Sequence, residues 1–205
     1  MKRRGTKQHA QPGETWGDWT LIRRCGVHVV DGGVVWWARR PATTRPGEIN
    51  FVVVRHRNKA RVAWRVNPRY VITEEEEGAF QSWHCMLKRC YQPTTNGFEA
   101  YGARGIRVKP SWRPDFYGSP HRCTGTSEER KLAFEAFISD VGMPPAFGEY
   151  NIDRVDPRGN YTPRNVRWLP RELDGPGRRD EDAIQAELDR KGLGGRIYTG
   201  EDSPS

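Results

Sequence analysis

The sequence predicts an α+β fold, in which a small N-terminal antiparallel β-module is followed by a mixed helical region. Three features support this prediction. Short apolar runs separated by turn signals fill residues 17–72, as is typical of strands. Two later segments combine helix-start signals with apolar residues at helical spacing. The 22 glycines and 15 prolines among 205 residues indicate a modest core with many turns.

Two hairpins are expected within the β-module. Residues 31–33, Asp-Gly-Gly, form a turn signal between two apolar runs, because glycine accepts the backbone angles of tight turns. Residues 57–59, Arg-Asn-Lys, separate two further runs. Together these runs predict a small antiparallel sheet. The predicted strand segments are residues 19–24, 27–30, 34–37, 51–54 and 62–66.

Two capping boxes predict two helices further along the chain. Thr73 with Glu76, and Thr126 with Glu129, have the spacing at which side chains satisfy free amides at a helix start. We expect these helices to end near Tyr91 and near residue 141. Their apolar stripes are Phe80, Trp83, Leu87, Cys90 and Tyr91 in the first helix, and Phe134, Phe137, Ile138 and Val141 in the second.

Four segments follow from these patterns. We expect a disordered basic N-terminus at residues 1–16 and a β-rich basic module at 17–72. Residues 73–170 should carry the two helices, a short strand near 106–108 and a hairpin. Residues 171–205 should form a weakly helical polar tail, with its helix near 182–191.

The charge of the chain favours a polyanionic partner. Its 34 Lys and Arg residues outnumber 26 Asp and Glu residues, which gives a formal charge of +8. Between Gly32 and Thr73, nine basic residues accompany a single acid, Glu48. This imbalance favours a surface that contacts phosphates, although a solvated face in a basic protein is the alternative. A second basic group surrounds the glycine-rich turn at residues 101–108.

Other classes of protein are disfavoured by the sequence. No apolar run approaches the roughly 20 residues that a membrane-spanning helix needs. No apolar segment follows the basic N-terminus, so we expect no secretory signal and an intracellular, cytoplasmic protein. The four cysteines have wide, irregular spacings without a C-x-x-C pair. We therefore expect neither a disulfide framework nor a zinc site.

Residues 150–169 carry the most specific pattern. They contain IDRVD at 152–156, GN at 159–160 and NVRW at 165–168. This stretch resembles the HNH, or His-Me finger, endonucleases, and is more similar to a phage-encoded branch that acts in bacterial hosts. The likeness covers residues 80–170 in consistent order. Its upstream parts are WHCMLKRCY at 83–91, YGARGIRV at 101–108 and FEAF at 134–137.

The resemblance implies a ββα-metal hairpin and helix that hold one divalent metal and hydrolyse duplex DNA. Asp153 matches the metal ligand of the hairpin, which suits Mg²⁺ or Mn²⁺. Arg154 stands where the general-base histidine usually stands. Because arginine stays protonated, it can clamp a phosphate but cannot accept a proton from water. Asn165 matches the asparagine that braces the loop, and Glu181 or Asp182 could replace the helix ligand.

Three functions remain open from the sequence. The resemblance favours a metal-dependent HNH-type endonuclease or nickase. The arginine at the base position favours a DNA-binding protein that keeps the nuclease scaffold without its chemistry. An RNA-associated basic structural protein that stacks bases on its aromatic residues is the third. The residues predicted to contact double-stranded DNA are Arg55, Arg57, Lys59, Arg61, Arg65, Arg104, Arg107, Lys109, Arg158, Arg164 and Arg167.

Overall fold

A computed structural model describes residues 10–30, 32–40, 50–57, 60–114, 126–146, 148–174 and 180–192, without the side chains of residues 55–57 and 60–61. The chain divides into two compact units, Met1–Glu74 and Glu75–Ser205. The first unit contains an antiparallel sheet, and the second contains helices and a two-stranded hairpin. The predicted α+β class is therefore confirmed.

The first unit is built on one bent antiparallel sheet. In the described residues, the strands pair in the order β1-β2-β3-β4-β5, and β6 pairs with β2. The strand β2 pairs with β1, β3 and β6. Its register against β3 shifts twice, and such irregularities bend a strand. The strands are β1 (Thr15–Trp16), β2 (Trp19–His28), β3 (Val34–Arg39), β4 (Asn50–Arg57), β5 (Ala60–Arg65) and β6 (Val71–Ile72).

Gly26 allows β6 to approach β2. Its φ angle of 138° lies where side chains other than glycine are strained. A Cβ atom at this position would lie 1.9 Å from the carbonyl oxygen of Ile72. The absence of a side chain at Gly26 is therefore required by this close approach of the two backbones.

Both faces of the sheet carry a small apolar core. Trp16, Leu21 and Trp36 are among the buried residues of one face, and Val35 and Val53 are buried on the other. Both predicted hairpins are present, joining β2 to β3 and β4 to β5. The residues 31 and 58–59 of their turns lie outside the described part. The predicted segments 19–24 and 27–30 merge into the single strand β2, which ends at His28, so residues 29–30 lie in the turn that follows.

The last two residues of the N-terminal segment that we expected to be disordered are ordered. Residues 15 and 16 form β1, and Trp16 is buried in the core of the sheet. Residues 1–9 lie outside the described part of the chain.

The second unit has an aromatic core. Phe80, Trp83, Trp112, Phe134 and Phe137 are all fully buried. The Trp83 Nε1 donates to the Trp112 carbonyl oxygen over 2.8 Å, which ties the first helix to the turn at Trp112. The main elements are α1 (Glu77–Tyr91), α2 (Ser127–Val141), β7 (Tyr150–Arg154), β8 (Val166–Pro170) and α3 (Glu181–Arg190).

The second capping box is confirmed and the first is wrong. Thr126 and Glu129 exchange both bonds of the box, and α2 ends at Val141 as predicted. By contrast, α1 begins at Glu77 without a side-chain cap. Glu76 also forms an ion pair with Lys131 of α2, with its carboxylate 3.7 Å from the Lys131 Nζ.

Two weaker predictions are adjusted by the structure. The strand expected at 106–108 is reduced to a single bridge between Val108 and Tyr161. The predicted terminal helix is α3, which buries Ile184 and Leu188 against Leu169 of β8. None of the helices in the described part of the chain combines the length and apolar character that a bilayer crossing requires.

Candidate functional site

The hairpin β7–β8 carries the residues predicted to be catalytic. Asp153 pairs with Arg167 across the hairpin, and Arg154 pairs with Val166. Asn165 lies at the entry to β8, where its backbone oxygen accepts from the Val155 amide over 3.1 Å. The two halves of the sequence motif therefore meet across one hairpin.

Asn165 braces the loop between the two strands. Its Oδ1 accepts from the Asp156 amide over 2.8 Å. Its Nδ2 donates to the carbonyl oxygens of Asp156 and Asn160 over 3.1 and 2.9 Å. Gly159 leaves room for this amide, since a Cβ there would lie 2.6 Å from the Asn165 Nδ2. One side chain thus satisfies three backbone groups of the loop.

Arg154 is buried within the second unit. It is 7% exposed, and its Nη1 donates to the Gly159 carbonyl oxygen over 2.9 Å. Its guanidinium carbon lies 4.9 Å from the centre of the Tyr101 ring and 5.0 Å from that of Tyr161, within cation–π range. Arg154 is therefore held inside the second unit, where little of its side chain is exposed.

Arg167 joins the hairpin to α3. Its Nε donates to the Asp153 carboxylate over 3.1 Å, and its Nη2 donates to the Glu181 carboxylate over 2.7 Å. The Arg167 side chain is 8% exposed, while those of Asp153 and Glu181 are 12% and 45% exposed. The Arg167 guanidinium group therefore links the Asp153 carboxylate of β7 to the Glu181 carboxylate of α3.

The residues around Asp153 do not fit a divalent metal in this arrangement. The Asp153 carboxylate is engaged by a cation of the protein, and Glu181 contacts the same cation. Among the described residues, no three His, Cys, Asp or Glu side chains come together as a metal-holding group. The ligand set that the nuclease resemblance implies is therefore not assembled here.

A cleft of about 300 Å³ opens beside the hairpin. Residues of α1, β7 and the turn before α3 line it, and its walls combine arginines with tyrosine rings. Burial, and then the neighbouring Tyr101, raise the pKa of Tyr161 well above its ordinary value, so this phenol stays protonated. The charged lining residues are Arg89, Asp153, Arg154, Arg171 and Asp174.

Residues 104–109 and 158–164 form a surface that we call the basic edge. The two segments are joined by backbone bonds, since the Tyr161 amide donates to the Arg107 carbonyl and the Lys109 amide to the Tyr161 carbonyl, both over 2.9 Å. The Arg107 amide donates to the Asn160 Oδ1 over 2.8 Å. The exposed arginines of this basic edge are Arg104, Arg107, Arg158 and Arg164.

The remaining predicted DNA contacts have different settings. Lys109 forms an ion pair with Asp140, with 2.6 Å between the Lys109 Nζ and the Asp140 Oδ2. Arg65 is exposed on β5 of the first unit. The position of Lys59 and the side chains of Arg55, Arg57 and Arg61 lie outside the described part of the structure.

Some residues that build the site carried no assignment from the sequence. Tyr101 and Tyr161 flank Arg154, and Asn160 links the two segments of the basic edge. The Asp140 carboxylate also accepts from the Trp112 Nε1 over 2.6 Å. Apart from the Arg154–Tyr161 contact, these contacts join residues more than 25 positions apart, which no local spacing indicates. The only sequence feature that pointed to any of these residues was the polar loop around Gly159 and Asn160.

Comparison of the chain with family models, with curated proteins and with solved structures finds no match.

Proposed function

We propose that this protein binds duplex DNA through the basic edge of its second unit, on an HNH-type hairpin scaffold that does not hydrolyse DNA. The observation that carries this proposal is the pairing of residues 104–109 with 158–164. This pairing brings four exposed arginines onto adjacent segments. Guanidinium groups suit phosphate oxygens because they can donate two parallel hydrogen bonds.

The charge of the basic edge is available to an external anion. Within the described residues, Arg104, Arg158 and Arg164 make no ion pair. Asp156 is the acidic residue of the loop between β7 and β8, and its Oδ1 accepts a hydrogen bond from the Arg158 amide over 2.9 Å. Such an edge contacts backbone phosphates, so we expect affinity without strong preference for base sequence.

The internal arginines argue against cleavage at this hairpin. Arg154 stands at the position of the usual general base, and it is buried against two tyrosines. Arg167 holds the carboxylate that the resemblance assigns to metal binding. Both positions therefore stabilise the hairpin, while the bracing role of Asn165 supports the likeness of the scaffold.

Duplex binding is tested by fluorescence anisotropy with a labelled 20-base-pair DNA. We expect an Arg158→Glu/Arg164→Glu double variant to bind at least about tenfold more weakly, because it replaces two phosphate contacts with repulsion. Arg190→Glu is the control for a charge reversal at another site, with half the change in net charge of the double variant. Arg190 is exposed on α3 and already paired with Glu187, so this change alters the net charge away from the basic edge. Equal affinities for both variants would overturn the proposal.

A metal-dependent endonuclease is the second candidate, favoured by the cleft beside Asp153. A supercoiled-plasmid nicking assay with Mg²⁺ or Mn²⁺ separates the two functions. We expect no nicking by the wild-type protein at high enzyme excess. Nicking that disappears in Asp153→Ala would instead establish the nuclease, and nicking that persists in this variant would place the activity elsewhere.

A further inference from the structure

One face of the sheet in the first unit presents aromatic rings beside an arginine. The strand register places Arg23 opposite Trp37, Trp37 opposite Phe51, and Trp64 opposite Val53. Residues opposite each other, or two apart on one strand, point to the same face of a sheet. Arg23, Trp37, Phe51 and Trp64 therefore share one face, which we call the aromatic face.

The rings of the aromatic face differ in exposure. Trp64 is 43% exposed, and Trp37 and Phe51 are half-buried. The Arg23 guanidinium carbon lies 4.1 Å from the centre of the Trp37 ring. The Trp37 and Phe51 rings meet edge to face, with their centres 6.2 Å apart. Trp64 can therefore offer part of its ring to an external partner, next to two half-buried rings on the same face.

The charge of the aromatic face indicates the chemical class of its partner. Arg23 is exposed, and Arg39, two residues after Trp37 on β3, is exposed on the same face. The sequence around these strands is strongly basic, with one acid among residues 32–73. Flat rings next to guanidinium groups match a partner that alternates aromatic groups with phosphates. Bases must be unpaired to stack on such rings, so a duplex does not satisfy this surface.

We propose that the aromatic face binds single-stranded DNA. Unpaired bases stack on Trp64 and on the Trp37–Phe51 pair, and the phosphates pair with Arg23 and Arg39. This contact adds a second binding mode to the duplex contact of the basic edge. It rests on the proposed function only in the choice of DNA over RNA.

The test uses the full chain and a labelled 12-nucleotide oligothymidine strand, with affinity measured by anisotropy. Trp64→Ala should weaken binding by about 5- to 150-fold, which corresponds to the loss of one stacked base. Trp64→Phe should retain most of the affinity, because it keeps an aromatic face. The control is Leu132→Ala, which truncates a residue that is 55% exposed on α2 of the second unit.

A strand of the same length without bases checks the stacking independently of any variant. We expect this abasic strand to bind far more weakly than oligothymidine, and equal binding would overturn the proposal. Unchanged affinity of Trp64→Ala would overturn it as well. A higher affinity for oligouridine than for oligothymidine would contradict the choice of DNA.

We expect duplex binding and single-strand binding to be lost independently of each other. The Arg158→Glu/Arg164→Glu variant should lose duplex affinity and keep oligothymidine affinity within about threefold, whereas Trp64→Ala should show the reverse. A normal far-UV circular dichroism spectrum and unfolding midpoint identify variants that remain folded.

Discussion

Arginine residues of the hairpin have internal roles that their sequence context does not reveal. Arg154 contacts two tyrosine rings and a loop carbonyl, and Arg167 links two carboxylates. A buried guanidinium group is tolerated when its hydrogen bonds and charge are satisfied. In a basic protein, these two residues look the same in sequence as the exposed arginines that could contact DNA. Only the fold separates the two sets.

Asn165 should be important for stability at the level of a single residue. Asn165→Ala removes hydrogen bonds to three backbone groups of the loop, and we expect a loss of about 1–2 kcal/mol in the free energy of unfolding. Asn165→Asp should lose at least as much, because it places an oxygen opposite two carbonyl groups. Urea unfolding followed by circular dichroism measures both losses. Variants within about 0.3 kcal/mol of the wild type would contradict the bracing role.

The described cysteines should differ in reactivity. Cys85 is exposed, whereas Cys90 is 2% exposed. Burial, and then the nearby charge of Glu74, raise the pKa of the Cys25 thiol to about 11, so little reactive thiolate forms near pH 8. We therefore expect iodoacetamide at pH 8 to modify Cys85 before Cys25 and Cys90, as measured by peptide mass spectrometry. Cys25 modification at the rate of Cys85 would show that β2 is more open than described.

At the scale of elements, the hairpin and α3 depend on Arg167 for their connection. Arg167→Ala leaves the carboxylates of Asp153 and Glu181 without the cation between them. We expect the free energy of unfolding to fall by about 2–4 kcal/mol, somewhat less than for a fully buried pair because Glu181 is 45% exposed. Chemical denaturation provides the measurement.

Arg190→Ala is the matched control for Arg167. It removes another arginine of an ion pair, but the Arg190 side chain is 70% exposed and bonds to Glu187 on the same helix. Exposed pairs of this kind contribute little, so we expect a much smaller loss of stability than for Arg167→Ala. Similar losses in the two variants would mean that the position of Arg167 between the hairpin and α3 has no special importance.

Helices and strands were predictable from the sequence where their local signals were not overridden by contacts between distant segments. The capping box of α2, its apolar stripe and its end at Gly142 are all local features, and the helix follows them. The predicted start of α1 is wrong, since the helix begins at Glu77 and its cap residue Glu76 makes no side-chain cap bond. The hairpin followed from its motif, but its internal contacts did not. The positions of Tyr101, Tyr161 and Glu181 around it depend on packing between distant segments.

At the scale of the whole molecule, the two units carry the two surfaces that we propose bind nucleic acid. The basic edge of the second unit consists of exposed arginines, whereas the aromatic face of the first unit combines Trp64 and its neighbouring rings with fewer charges. Phosphate contacts release counterions from DNA, and stacking contacts do not. The two surfaces should therefore respond differently to salt.

The salt dependence of duplex binding should report the phosphate contacts of the basic edge. A plot of the logarithm of the association constant against the logarithm of salt concentration has a negative slope, with a magnitude of about 0.9 for each phosphate contact on duplex DNA. We expect Arg158→Ala and Arg164→Ala each to reduce the magnitude of this slope by about one. Trp64→Ala should leave the slope for the same duplex unchanged, because its ring carries no charge. A slope altered equally by the arginine and tryptophan variants would indicate a shared surface and would exclude separate binding modes.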